Sequence, residues 1–146
     1  MIIDQKITNP KNYDAERPTS DIVYIVIQTL KNKPTGHYHV VNGKAVQVIP
    51  DKHMSDSVNG GQLNRMGRLH GICTKYNSIT ICVPEKPSKA DIEIIPHLVM
   101  TIKRRYKINK ENIIRQKDIT GELNPMIWVD DDKWQRDIIN TLADME

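Results

Sequence analysis

No apolar run in this 146-residue chain approaches the ~18 residues that a membrane-spanning helix needs, so insertion into a bilayer by that route is excluded. The start, Met1-Ile2-Ile3-Asp4-Gln5-Lys6, lacks a cationic stretch followed by an apolar one. No secretory signal is therefore read there, and a soluble cytoplasmic product is expected. Cysteine is scarce: Cys73 and Cys82 have no metal-type spacing and no second pair to complete a zinc knuckle, so both read as free thiols. A surplus of one charge is also lacking, because 21 basic against 18 acidic side chains leave only +3. That balance is too small and too dispersed to indicate a nucleic-acid partner. The densest cluster, Lys103-Arg104-Arg105, falls where a helix ends, and cations there complement the helix dipole. Internal repeats and low-complexity segments are absent.

What is present fits one domain spanning 1–146, since the length supports one proper core rather than two. Residues 1–20 read as an irregular lead-in, because Thr8 to Ser20 mix Asn, Pro, Tyr, Asp and Arg without periodicity. Ile22-Val23-Tyr24-Ile25-Val26-Ile27 is an almost unbroken β-branched run that stops on Gln28, the pattern of a strand buried on both faces in the middle of a sheet. The exit of such a strand is where open α/β proteins commonly place their sites. His37 to Val41 and Lys44 to Ile49 flank Asn42-Gly43, which supplies the two positive φ angles of a type I′ hairpin turn.

Pro50 to Tyr76 reads as a long loop with glycines at 60, 61, 67 and 71, and Asn77 to Val83 as a second buried strand. Ser88 and Asp91 form a capping box before a helix whose apolar positions are Ile92, Ile95, Val99, Ile102 and Tyr106; Pro96 should kink that helix or delay its start. Asn112 to Arg115 read as a short strand or an extended turn. Asp130-Asp131-Asp132 open a last helix with the stripe Trp134, Ile138, Ile139 and Leu142. The fold class is α/β, a central mixed β-sheet flanked by helices.

Four phrases in this order, "IVYIVIQTL", "GHYHVVNGKAVQVIPD", "NSITICV" and "IIRQKDITGELNP", resemble the zinc-dependent N-acetylmuramoyl-L-alanine amidases of phage endolysins, the type 2 amidase family. The resemblance runs from Ile22 to Trp128. It implies an amidase-type, peptidoglycan-recognition-like fold, and a zinc held by a His at the end of the first strand, a second His, and a Cys or Asp eight residues later. The matching positions here are Gln28, Gln116 and Asn124, with the eight-residue spacing and the following proline, Pro125, both kept.

All three are primary amides, which offer a cation only a neutral carbonyl oxygen and hold zinc poorly. The family's general-acid lysine falls on Glu122, a reversal of charge, and a further catalytic His falls near Ser57. The glutamate often found at the end of the "SIGIE" strand of the relatives is Cys82 here. Tyr38 matches a tyrosine that assists catalysis in some members, and His39 a structural position. Active relatives also carry a helix between the first strand and the hairpin, for which Thr29 to His37 leave nine residues and no room.

The resemblance therefore implies a degenerate, phage-derived amidase homologue, a pseudoenzyme without zinc or another cofactor. Gln28, Gln116 and Asn124 are its vestigial zinc positions, Tyr38 and Glu122 its vestigial catalytic positions, and Tyr38, His39 and Ser57 a ligand groove. The expected partners are peptidoglycan fragments or a protein, and export would need a holin or lysis. The alternative is an active peptidoglycan hydrolase with a non-standard site at His37, His39 or Cys82: two histidines two apart on a strand share a face, and a thiol can serve as nucleophile.

Overall fold

The computed structural model of the chain describes residues 1–31, 35–57 and 67–146. Its centre is built from the two β-branched runs. β2 (Tyr24–Thr29) and β5 (Ser78–Val83) pair in parallel, Tyr24 against Ser78 through Thr29 against Val83. Every residue of β5 is buried, and so are Ile25 to Gln28 of β2, as expected for strands covered on both faces.

The remaining strands are β1 (Ile3–Gln5), β3 (Tyr38–Val41), β4 (Lys44–Gln47) and β6 (Ile113–Arg115). The mixed six-stranded sheet has the order β1-β4-β3-β5-β2-β6, with only the β3–β4 hairpin antiparallel. β2 is thus interior but next to the edge strand β6. The hairpin turn is the expected one, with φ of +52° at Asn42 and +73° at Gly43. Ile3 to Gln5 correct the reading of 1–20 as wholly irregular: they pair in parallel with Ala45 to Gln47 at the sheet edge. Two of those three residues are exposed, so no apolar alternation marked the strand.

Alternation along the strands separates two cores. Ile25, Ile27, Ile79, Ile81, Tyr38 and Val40 face helix α1 (Lys89–Tyr106), Trp128 and the C-terminal helices. Val26 and Ile114 face the other way, onto Cys73 and Ile119. The Ser88–Asp91 capping box fixes the start of α1, so Pro96 does not delay it and lies buried inside the helix. Asp91 also accepts the Gly43 N–H at 2.6 Å, tying the hairpin turn to the helix start. A short helix α2 (Lys117–Thr120) follows β6. At the C-terminus Asp130 caps α3 (Asp131–Trp134), a π turn spans Gln135–Ile139, and α4 (Asn140–Met145) ends the chain; Trp134, Ile138 and Leu142 are buried and Ile139 only partly so.

Residues 30, 31 and 35–37 between β2 and β3 are not helical, and residues 32–34 lie outside the described residues. So do Asn59-Gly60-Gly61 of the long loop. Among the described residues no helix is long and apolar enough to cross a membrane. Cys73 and Cys82 are buried and free.

Candidate functional site

Strand register aligns one row of side chains on the face of the smaller core. His39 of β3 pairs with Cys82 of β5, and Cys82 with Gln28 of β2. Paired residues point to the same side, at about 4.8 Å per strand. Beyond β2, the pairing of Ile27 with Arg115 brings Gln116 to the end of the row, and the Gln116 N–H donates to the Ile27 carbonyl at 3.0 Å. Asn124 joins from the loop after α2, which Gly121 ends with φ +78°. The Lys117 N–H donates to the Asn124 carbonyl at 2.8 Å, and Asn124 Oδ1 accepts the Thr29 N–H at 2.7 Å. The structure therefore brings Gln28, Gln116 and Asn124 together at the C-terminal edge of β2 and β6.

Their donors and acceptors do not fit zinc. Asn124 Oδ1 is spent on a backbone N–H. Gln28 turns its Nε2 toward Cys82 Sγ at 3.5 Å, a donor where a metal needs an electron pair. Gln116 Oε1 is buried and has no hydrogen-bond partner, which costs about 1–3 kcal/mol. One neutral carbonyl oxygen does not replace imidazoles and a thiolate. No cluster of three or more His, Cys, Asp or Glu able to hold a metal occurs among the described residues.

His39 belongs to the row, but its Nε2 donates to the Thr35 carbonyl at 2.7 Å, which Cys82 Sγ also approaches at 3.5 Å. Burial lowers the His39 pKa, against a smaller opposing effect of that carbonyl. Burial pushes the Cys82 thiol up to about 11, so it is protonated at neutral pH. Gly36 has φ +83°, and a Cβ there would stand 2.5 Å from Cys82 Sγ, so only glycine fits beside the thiol. Ser57 reaches the same face: its Oγ donates to Thr80 Oγ1 at 3.0 Å and lies 3.1 Å from Ser55 Oγ, which accepts the Gly36 N–H. Glu122 is half-buried, and its backbone carbonyl accepts the Asn124 N–H at 2.8 Å.

Tyr38 and His37 are not brought into this group. Tyr38 is on the opposite face, fully buried in the larger core. Its hydroxyl donates to Asp51 Oδ1 at 2.8 Å and accepts from Arg105 Nη1 at 2.9 Å, while Tyr106 binds the other Asp51 oxygen. Burial and the Asp51 carboxylate push its phenol pKa well up. Tyr38→Phe should accordingly cost about 1–2 kcal/mol of stability, measured by urea unfolding, while leaving ligand binding unchanged. His37 commits both ring nitrogens: Nδ1 accepts the Thr80 N–H at 3.1 Å and Nε2 donates to the His53 carbonyl at 2.8 Å.

One feature had no signal in the sequence reading. A cavity of about 970 Å³ lies along the outer side of β6, lined among others by Arg68, Lys110, Arg115, Asp131 and Trp134. Arg115 is saturated there: it donates to Asp118, to Asp131 and to the Trp128 carbonyl, and lies over the Trp134 ring. The i,i+3 placing of Arg115 and Asp118 is visible in the sequence, but the cavity depends on packing between β6 and the C-terminal helices.

No protein-family model matches the sequence, and no curated protein matches it in sequence. Solved structures match along nearly the whole chain. A mutant of PlyL superposes with a TM-score of 0.76 at 16% identity, covering 98% of this chain and 99% of that one. The solution structure of the PlyG catalytic domain gives 0.76 at 15% identity, covering 99% and 94%. The N-acetylmuramoyl-L-alanine amidase LysC from Clostridium intestinale URNW gives 0.59 at 11% identity, covering 86% and 89%. At such identities the likeness is one of fold: this chain shares its α/β architecture with N-acetylmuramoyl-L-alanine amidases and endolysin domains.

Proposed function

We propose that the chain is a non-catalytic member of this fold that binds cell-wall fragments at the C-terminal edge of β2 and β6. The observation that carries this reading is the convergence of Gln28, Gln116 and Asn124, three neutral amides, at one place on the sheet. Metal-assisted amide hydrolysis needs a Lewis acid that polarises the carbonyl and acidifies a water, and amide side chains neither hold such an ion nor act as a base. The charge of Glu122 adds nothing that would stabilise an oxyanion. The alternative hydrolase is disfavoured by the protonated Cys82 thiol and by the two committed nitrogens of His37.

A protein partner is the second use, favoured by Leu123 and Met126, which are exposed on either side of Asn124-Pro125. Sedimentation with insoluble peptidoglycan at low salt separates the two. Co-sedimentation is expected, without clearing of a cell-wall suspension; a chain left in the supernatant points to the protein partner. Loss of turbidity that disappears in His39→Ala would establish the hydrolase instead.

A further inference from the structure

The two edges of the sheet differ in how their backbone groups are satisfied. At β6 the outward N–H groups are taken: that of Ile113 donates to the Lys110 carbonyl and that of Arg115 to Asp118 Oδ2 at 2.9 Å. At β1 the N–H groups of Lys6 and Thr8 turn inward, to the carbonyls of Gln47 and Val48 at 3.0 and 2.9 Å, which carries the ladder with β4 beyond Gln5. Alternation along a strand then turns the N–H and C=O groups of Ile3, Gln5 and Ile7 outward. Asp4 to Ile7 are all exposed, Ile7 at 43%. An open row of this kind is a template for a further strand.

The sequence of the edge indicates which strand fits it. Ile3-Asp4-Gln5-Lys6-Ile7 is its own complement when a second copy runs antiparallel to it with Gln5 opposite Gln5. Ile3 then faces Ile7 and Asp4 faces Lys6, each pairing occurring twice by two-fold symmetry. The backbone agrees with this register, because Ile3, Gln5 and Ile7, whose groups point outward, fall in the hydrogen-bonded pairs. Asp4 and Lys6 fall in the non-hydrogen-bonded pairs, where side chains approach most closely and opposite charges stabilise the ladder. Sliding the register by one step of the repeat sets Asp4 against Asp4 or Lys6 against Lys6, so like charges oppose the alternatives. On the other face Ile3 already packs partly against the larger core, and the partner's Ile7 extends that cover.

We infer that the chain self-associates through β1 into a two-fold dimer, in which antiparallel pairing of β1 with β1, Asp4 against Lys6 of the other copy, joins the two six-stranded sheets into one. β1 and β6 are opposite edges, so this dimer leaves the edge of β2 and β6 uncovered in both copies.

Sedimentation equilibrium of the full chain from about 10 µM to about 500 µM tests this, a range suited to an interface at the small end of the known classes. A reversible monomer–dimer equilibrium, weakened by salt, is expected. Asp4→Lys sets like charges opposite each other at two positions and should raise the dissociation constant about tenfold. Asp4→Lys combined with Lys6→Asp restores opposite charges in the same register and should return the constant to within about threefold of the unaltered chain. Both changes fall on exposed side chains and leave every backbone group in place. A chain that stays monomeric throughout, as it would if the edge served a different protein's strand, overturns the inference. A dimer that Asp4→Lys leaves equally tight, or a double variant as weak as the single one, overturns it too.

Discussion

Arg17→Ala is expected to lower the unfolding free energy by about 4 kcal/mol or more, a large part of the ~5–15 kcal/mol that holds a domain of this kind together. Arg17 lies in the irregular lead-in, yet it is only 4% exposed. Its Nε donates to the Asp51 carbonyl at 2.9 Å, and its Nη1 to the carbonyls of Lys75, Tyr76 and Ser78 at 3.1, 2.9 and 2.9 Å. The guanidinium therefore ties three segments together: the lead-in, the turn after β4, and the entry to β5. Removing it strands several carbonyls, each costing about 1–3 kcal/mol when buried without a donor. Arg17→Lys should rescue little, since one ammonium on a flexible stem cannot reproduce the planar fork. The urea midpoint reads the effect, and a shift worth less than about 1 kcal/mol would mean that water satisfies those carbonyls.

Acid should weaken the fold before its carboxylates titrate, through His37. The ring is about 1% exposed, with Arg17 Nη2 3.2 Å from its Nε2. Burial above all, together with the Arg17 charge, lowers its pKa from 6.5 to about 4, against the opposing influence of the His53 carbonyl and Asp51. A second proton would also turn the Nδ1 acceptor into a donor facing the Thr80 N–H. Because the folded pKa lies below the unfolded one, the unfolded chain takes up the proton first as pH falls. His37 therefore leaves stability unchanged above about pH 6.5, and its contribution is lost progressively down to about pH 4. The difference corresponds to about 3 kcal/mol. Unfolding free energies at pH 7 and pH 4.5 should show most of that loss, and His37→Gln should flatten the slope. An unchanged slope in His37→Gln would assign the acid sensitivity elsewhere.

Features written in local chemistry were legible in the sequence. Asn42-Gly43 marks its hairpin because few residues accept positive φ, and Ser88 with Asp91 marks the start of α1 because side chains there must serve free N–H groups. β1 was not legible, since three residues of which only Ile3 packs against the core pair with β4 some forty positions away. Arg17 reads as a loop cation because nothing local shows that four distant carbonyls converge on it. The site was legible in part. That Gln28, Gln116 and Asn124 meet was implied by the resemblance to the amidases, and the register of β2 with β6 and the Thr29–Asn124 hydrogen bond put them at one edge. Grouping Tyr38 with His39, however, ignored the two-residue period of a strand, which puts neighbours on opposite faces. The unpartnered oxygen of Gln116 has no signal in the sequence, because it depends on how the folded chain buries that side chain.

The central claim is that Gln28, Gln116 and Asn124 form a hydrogen-bonding site in a fold whose resemblance implies zinc. Atomic absorption on protein purified with zinc present, paired with an assay of peptidoglycan amide hydrolysis, tests it most directly. The account predicts far less than one zinc per chain and no release of peptide. One tightly held zinc per chain together with hydrolysis would contradict it.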